Sequence, residues 1–229
     1  MAKRTPSLTT CCQRSNLMTM NAEPRKTVHL AVYDQLADWE VGHAVAHIRA
    51  GLDGQGSSGH EVMTVGLTGA PVTTLGGVTV LPDIALPQLQ PSTSAMLVLP
   101  GSPAWDTSPE TMAPMASAAG IFLDSGTPVA AVSGATAGLA REGLLDYRDH
   151  TSAAPDYLLG TGYRGGHRYR SELAVTDGDL VTAGPTAAVE FAREIFGKLD
   201  AFSPRALNAW YRLHALHDTD AYPTLIEEA

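Results

Sequence analysis

One junction constrains this chain more than any other. Residues 128–132, Pro-Val-Ala-Ala-Val, run without a spacer into Ser133-Gly134-Ala135-Thr136, and helix-forming residues follow over 137–142. A continuous, β-branched apolar run with no polar alternation is the pattern of a strand covered on both faces, as in a parallel sheet. A helix starting directly after it demands a sharp turn. A turn that tight lifts one side chain above the carboxyl edge of the sheet, where the first N–H groups of the new helix converge. Ser133 occupies that place. Two readings are open on local grounds: Ser133 is a helix N-cap, for which serine is a preferred residue, or it is a presented nucleophile.

The rest of the chain extends the same α/β pattern. Residues 27–33 form a β-branched apolar run, followed by Asp34 and a loop. Asp38-Trp39-Glu40 then opens a helix, with Asp38 as N-cap and Trp39, Val41, Ala44, Val45 and Ile48 as its apolar face before Gly51. A Gly/Ser-rich loop over 51–59 leads to a second strand at 60–67. Segments 72–75 and 78–81 around Gly76-Gly77 predict a hairpin, because glycine supplies the positive φ of a two-residue turn. Residues 95–99 are a second continuous apolar run, ending in Pro100-Gly101-Ser102, and 109–124 fit a helix. Asp177-Gly178-Asp179 predicts another hairpin between 173–176 and 180–182, and 187–199 fit a helix. A last helix is expected at 204–217, docked by Trp210 and Leu213, with 218–229 a looser end.

These elements suit one domain over 27–200, preceded by an extension (1–26) and followed by a helical extension (201–229). With 44% hydrophobic and 17% charged residues the chain should fold. Its net charge of −9 understates the acidity of the body, since Lys3, Arg4, Arg14, Arg25 and Lys26 all lie in the N-terminal extension against Glu23 alone. Such a body repels phosphate backbones, so nucleic acid is not the expected partner. No apolar run approaches the roughly 20 residues of a membrane-spanning helix. The two cysteines, Cys11 and Cys12, are adjacent in the extension, leaving no disulfide framework and favouring a cytoplasmic setting. The extension has the Ser, Thr and Arg content of a transit peptide, but a disordered or mis-started segment is the simpler expectation, with Met18 and Met20 as later starts.

Several motifs resemble the ThiJ/PfpI family. Residues 129–140, Val-Ala-Ala-Val-Ser-Gly-Ala-Thr-Ala-Gly-Leu-Ala, continue through Gly143-Leu-Leu-Asp146 to His150-Thr-Ser152 and are similar to that family's nucleophile segment, which usually reads Ala-Ala-Ile-Cys-Gly-Ala-Thr. Leu99-Pro-Gly-Ser102 with Trp105 resembles its Leu-Pro-Gly-Gly loop, Asp38-Trp-Glu40 its acidic helix start, and 183–194 its late helix. The resemblance implies a flavodoxin-like, doubly wound α/β fold with a mainly parallel sheet and a small antiparallel accessory. It places Ser133 at the nucleophile, Glu40 at the acid that contacts it, and His150 at a nearby histidine. Gly101, Ser102 and Gly134 take the positions whose N–H groups hold an oxyanion, Asp38 is expected beside the pocket, and Trp105, in the loop next to the site, either lines that pocket or fills the core. It further implies a homodimer and a cofactor-independent, glutamine amidotransferase-like amidase or hydrolase, or a stress-response protein, acting on a small molecule.

Two departures matter. Ser102 replaces the second glycine of the loop, and Ser133 replaces cysteine. A serine has no thiolate route and needs a general base, for which His150 is the candidate. Cysteine oxidation is not available at position 133. Two alternatives stay open: a degenerate protein that binds a metabolite or dimerises, and a hydratase or lyase in which Asp38 or Glu40 moves the proton.

Other clusters have plainer explanations. Glu40, His43 and His47 have a helical spacing compatible with metal, yet helical histidines are more often packed or solvent-facing, and no metal is expected. His214 and His217 are read the same way. Gly184-Pro185-Thr186 suits a helix start better than a phosphate site.

Overall fold

The computed structural model describes residues 26–228 apart from 53 and 55–57. The expectations for 1–25, with Cys11, Cys12, Met18 and Met20, lie outside the described residues. The chain runs β1 (Lys26–Val32), α1 (Asp38–Ala50), β2 (His60–Gly66), β3 (Val72–Thr73), β4 (Thr79–Val80), β5 (Ile84–Ala85) and β6 (Ser94–Leu99). It continues through α2 (Ala104–Thr107), α3 (Pro109–Asp124), β7 (Val129–Val132), α4 (Gly134–Arg141) and α5 (Pro155–Leu159). The last elements are β8 (Ala174–Asp177), β9 (Leu180–Ala183), α6 (Ala188–Lys198), α7 (Pro204–Ala215) and α8 (Tyr222–Glu228).

The main sheet has the order β5-β2-β1-β6-β7-β9-β8 and is parallel except for β8, which runs antiparallel to β9 at one edge. Every residue of β7 and β9 is buried, as are Ala95 to Leu99 of β6. Their continuous apolar runs therefore report two covered faces. Helices α1 and α6 pack together, α7 covers α6, and α2, α3 and α4 form a separate packed group. From β1 the chain moves outward to β2 and β5, then returns to place β6 on the other side of β1. This reversal puts a topological switch point between β1 and β6, and the crevice beyond the strands' carboxyl ends is where such sheets bind ligands.

Some local expectations change in the structure. Asp38 does not cap α1. Ala37 holds that position, and the Asp38 carboxylate instead accepts the Gly76 N–H at 2.7 Å. The expected hairpin forms around Gly77 (φ 81°), but as a separate two-stranded sheet. It is bound to the loop after β1 by Gln35 N–H to Thr73 O at 2.7 Å, Thr73 N–H to Asp34 Oδ1 at 2.9 Å and Leu75 N–H to Leu36 O at 3.0 Å. Trp39 is not part of the buried face of α1: it is exposed, with its indole N–H on Pro185 O at 3.3 Å.

The end of the chain is also more ordered than expected. Helix α7 is docked by the fully buried Trp210, and 218–229 contains α8 rather than a loose tail. The physical reason is capping by Asp218, whose carboxylate accepts the Asp220 N–H at 3.1 Å and the Arg212 guanidinium at 2.5 and 2.9 Å. Buried Ala221 and Leu225 then fasten the segment to the body.

Candidate active site

At the end of β7, Ser133 adopts φ 55° and ψ −125°. Positive φ is costly for a residue with a Cβ, of order 1–3 kcal/mol, and persists only where the surroundings impose it. Here they do. The Ser133 N–H donates to Ala183 O at 3.0 Å, and its carbonyl accepts from the Thr136 N–H at 3.1 Å and the Thr136 hydroxyl at 2.6 Å. Ser133 stands at the N-cap position of α4, yet its side chain caps nothing. The side chain stands instead beside Glu40, and the hydroxyl helps to draw the Glu40 pKa down.

Glu40 lies in the first turn of α1 and is 2% exposed. Its Oε2 accepts the Gly101 N–H at 2.6 Å. The approach is so close that a Cβ on Gly101 would lie 2.7 and 2.9 Å from the two carboxyl oxygens and 2.9 Å from Ser133 Cβ. Glycine is required there by space, and Ala37 N–H to Gly101 O at 2.9 Å fastens the loop to the start of α1. Burial pushes the Glu40 carboxyl up from the ordinary glutamate value, against the opposing pull of the Gly101 N–H and the Ser133 hydroxyl. Ser133, Glu40 and Gly101 thus meet beyond the carboxyl ends of β1, β6 and β7.

Four of the expected roles change. The Gly101 N–H is spent on Glu40 and is not an oxyanion donor. The N–H groups of Ser102 and Gly134 have no protein acceptor among the described residues. Ser102 uses its hydroxyl structurally, donating to Asp34 O at 2.8 Å and accepting the Ala104 N–H at 3.1 Å. Asp38 faces the hairpin rather than a pocket, and the Thr74 hydroxyl and Gly76 N–H hold its carboxyl below the usual value.

Trp105 does not border a pocket either. It is buried, with its ring against α4 at Gly138 and Gly134. Its indole N–H reaches both Tyr33 Oη and Pro100 O at 3.1 Å, and the Tyr33 hydroxyl also donates to Pro100 O. This pair pins the residue just before Gly101, so Trp105 acts on the site through the loop.

His150 has both ring nitrogens committed to groups other than the serine. Its ring is fully buried, with Nδ1–H donating to Arg148 O at 2.7 Å and Nε2 accepting from the Tyr163 hydroxyl at 3.1 Å. Burial lowers its basicity, so the ring is neutral with both nitrogens engaged. A general base for Ser133 cannot come from it. The motif resemblance placed the residue near the turn but said nothing of where its ring points.

The histidines of α1 also pack. His43, His47 and His214 lie with ring centroids 5.1 to 6.1 Å apart around Trp210, and burial with the neighbouring rings pulls His214 down to about 4. Among the described residues no group of His, Cys, Asp or Glu is arranged to hold a metal. Sequence reasoning missed Tyr33, Thr136 and Ser152. Thr136 stood in the motif as a visible signal, whereas the Tyr33 contact with Pro100 spans 67 positions.

A strained serine at a strand-to-helix turn, facing a buried carboxyl across a flavodoxin-like switch point, defines a protein class that similarity to known proteins identifies. Residues 26–198 match the DJ-1/PfpI family. A Bacillus subtilis protein named "Uncharacterized protease YoaZ" is 38% identical over 192 residues, covering 82% of this chain and 90% of that protein. Among solved structures, a ThiJ/PfpI family protein from Bacillus anthracis is similar with a TM-score of 0.82 and 34% identity, over 90% of this chain and 99% of that one. A DJ-1 superfamily protein from Agrobacterium tumefaciens has a TM-score of 0.73 and 32% identity, over 84% and 99%. The chain belongs to the DJ-1/PfpI family. Among the described residues no helix is long and apolar enough to cross a membrane.

Proposed function

We propose that this chain is a cofactor-independent hydrolase of small esters or amides, with Ser133 as nucleophile and Glu40 as its general base. The observation that carries this reading is that Ser133, on a strained backbone, caps nothing and stands beside the buried Glu40, with Ser133 Cβ and both Glu40 carboxyl oxygens within 2.9 Å of the point a Gly101 Cβ would occupy. In the reaction, ionised Glu40 takes the hydroxyl proton as Oγ bonds to the substrate carbonyl carbon. The carbonyl oxygen becomes an oxyanion facing the Ser102 and Gly134 N–H groups. Collapse expels the leaving group, which takes the proton from Glu40. Water then attacks the acyl-serine, Glu40 again receiving the proton, and Ser133 is restored. The name of the Bacillus subtilis relative supports amide-bond chemistry as the class. A cytoplasmic homodimer belongs to the same reading, supported by the acidic, disulfide-poor composition and by exposed Trp39, Leu75 and Val78.

The test is intact-mass analysis after exposure to an alkyl fluorophosphonate and a nitrophenyl ester. One adduct per chain is expected, mapping to Ser133 and lost in Ser133→Ala. No adduct after prolonged exposure, or one that survives in Ser133→Ala, would reject the nucleophile. Because Glu40 must be ionised to act, the labelling rate should rise with pH through a carboxyl pKa above the ordinary ~4.3 and then level off. A rate already at its plateau at pH 4 would rule out Glu40 as the base.

The raised Glu40 carboxyl also supports a second reading, in which it hands a proton to substrate in a hydratase or lyase reaction. That reading predicts turnover sensitive to Glu40→Gln with no covalent adduct on Ser133.

A further inference from the structure

Ser133 is held from beneath by two buried hydroxyls that the reaction scheme does not use. The Thr136 hydroxyl donates to Ser133 O at 2.6 Å, and Thr136 Oγ1 lies 2.6 Å from Ser152 Oγ. Thr136 is fully buried and Ser152 nearly so. A carbonyl only accepts, so the single Thr136 proton is committed to Ser133 O. Ser152 is therefore the donor to Thr136. The result is a one-way chain, Ser152 O–H to Thr136 O–H to Ser133 C=O, with the Ser152 carbonyl in turn accepting from the Tyr169 hydroxyl at 3.3 Å.

What this chain controls follows from peptide geometry. Ser133 C=O and Gly134 N–H belong to one planar trans unit, so fixing the carbonyl direction fixes the N–H direction opposite to it. The Thr136 N–H also reaches the carbonyl, but at a longer 3.1 Å. The short hydroxyl bond is the stronger hold on a plane that the unusual ψ of −125° would otherwise leave under strain. Gly134 N–H, with no protein acceptor among the described residues, is thereby aimed away from the buried hydroxyl pair.

We propose that Thr136, backed by Ser152, is a positioning residue that sets the direction of the Gly134 N–H as oxyanion donor. This rests on the nucleophile reading of Ser133. Thr136→Val keeps the branched shape and the backbone N–H while removing the hydroxyl, and Thr136→Ser restores the hydroxyl. Thr136→Val also strands the buried Ser152 hydroxyl without its acceptor. The double variant Thr136→Val/Ser152→Ala removes that orphan and separates folding from positioning.

The experiment measures fluorophosphonate labelling, kcat and KM on a nitrophenyl ester, melting temperature, and the Gly134 amide resonance of ¹⁵N-labelled protein. Thr136→Val should label at least ~30-fold more slowly, with the loss in kcat and little change in KM; complete loss of one oxyanion donor costs about 10²–10³-fold. Thr136→Ser should stay within about 3-fold of wild type, a margin well inside that range. The double variant should regain melting temperature without regaining rate, and the Gly134 amide should shift in both valine variants but not in Thr136→Ser. Labelling at the wild-type rate in a folded valine variant overturns the proposal whatever the amide does. If wild-type Ser133 is inert, the nucleophile reading fails, and the amide alone decides: an unmoved Gly134 signal overturns the positioning, and a shifted one sustains it.

Discussion

Glu40→Gln is expected to abolish labelling of Ser133 while raising the melting temperature at neutral pH. The first effect follows from the proposed role of Glu40 as the base for the Ser133 hydroxyl: losing general-base assistance costs about 10²–10⁴-fold in rate. The second follows from its burial. The folded-state pKa of Glu40 lies above its unfolded value, so the folded protein holds the proton more tightly. Stability from that proton is fully present below the unfolded pKa of ~4.3 and is lost as pH rises through the folded value. Glutamine keeps an oxygen for the Gly101 N–H and carries no charge to desolvate. Its advantage should therefore be absent at pH 4 and present at pH 7, about 2–4 °C for each kcal/mol in a chain of this size. Calorimetry at the two pH values with labelling rates at pH 7 checks both halves. Undiminished labelling would remove Glu40 from the chemistry, and a lower melting temperature at pH 7 would mean that the carboxylate is better solvated than its surroundings indicate.

Gly138→Ala should be among the most destabilising single changes in the body, although it adds one methyl group to a helix that would otherwise favour alanine. That Cβ would lie 2.3 Å from Trp105 Cζ3 and 2.5 Å from Cε3. The indole cannot easily retreat, because its N–H is held by Tyr33 Oη and Pro100 O and its ring meets Tyr33 edge-on at 5.7 Å. Overpacking of this severity costs about 3 kcal/mol, or roughly 6–12 °C in melting temperature. The strain should also reach the site, since Pro100 immediately precedes Gly101 and moving it moves the partner of Glu40. Adding Trp105→Phe to Gly138→Ala should recover part of the loss, a coupling that a double-mutant cycle measures. A variant that melts like wild type would show that the indole has room the contact distances deny.

Sequence alone determined the features that a few neighbouring residues encode. The apolar runs at 95–99 and 129–132 have no polar alternation, and both became strands buried on two faces. Gly77 and Gly178 take the positive φ that marks their turns, and Ser133 with its small neighbours marked the junction around which the site is built. Motif resemblance added the order of the units and the pairing of Ser133 with Glu40. Tertiary structure alone decided where polar groups point. Whether Gly101 offers its N–H to a substrate or to Glu40 depends on the sheet order that sets β6 beside β1 and so brings Gly101 to Glu40, 61 positions earlier in the chain. The same holds for His150, whose nitrogens are claimed by Arg148 and Tyr163, and for Trp105, buried because Gly138 leaves space for an indole. Backbone preference and hydrophobic period act over a turn or a strand, so they are written locally. A hydrogen bond has one direction and a donor proton one acceptor, and which acceptor wins is settled only when distant segments are packed together.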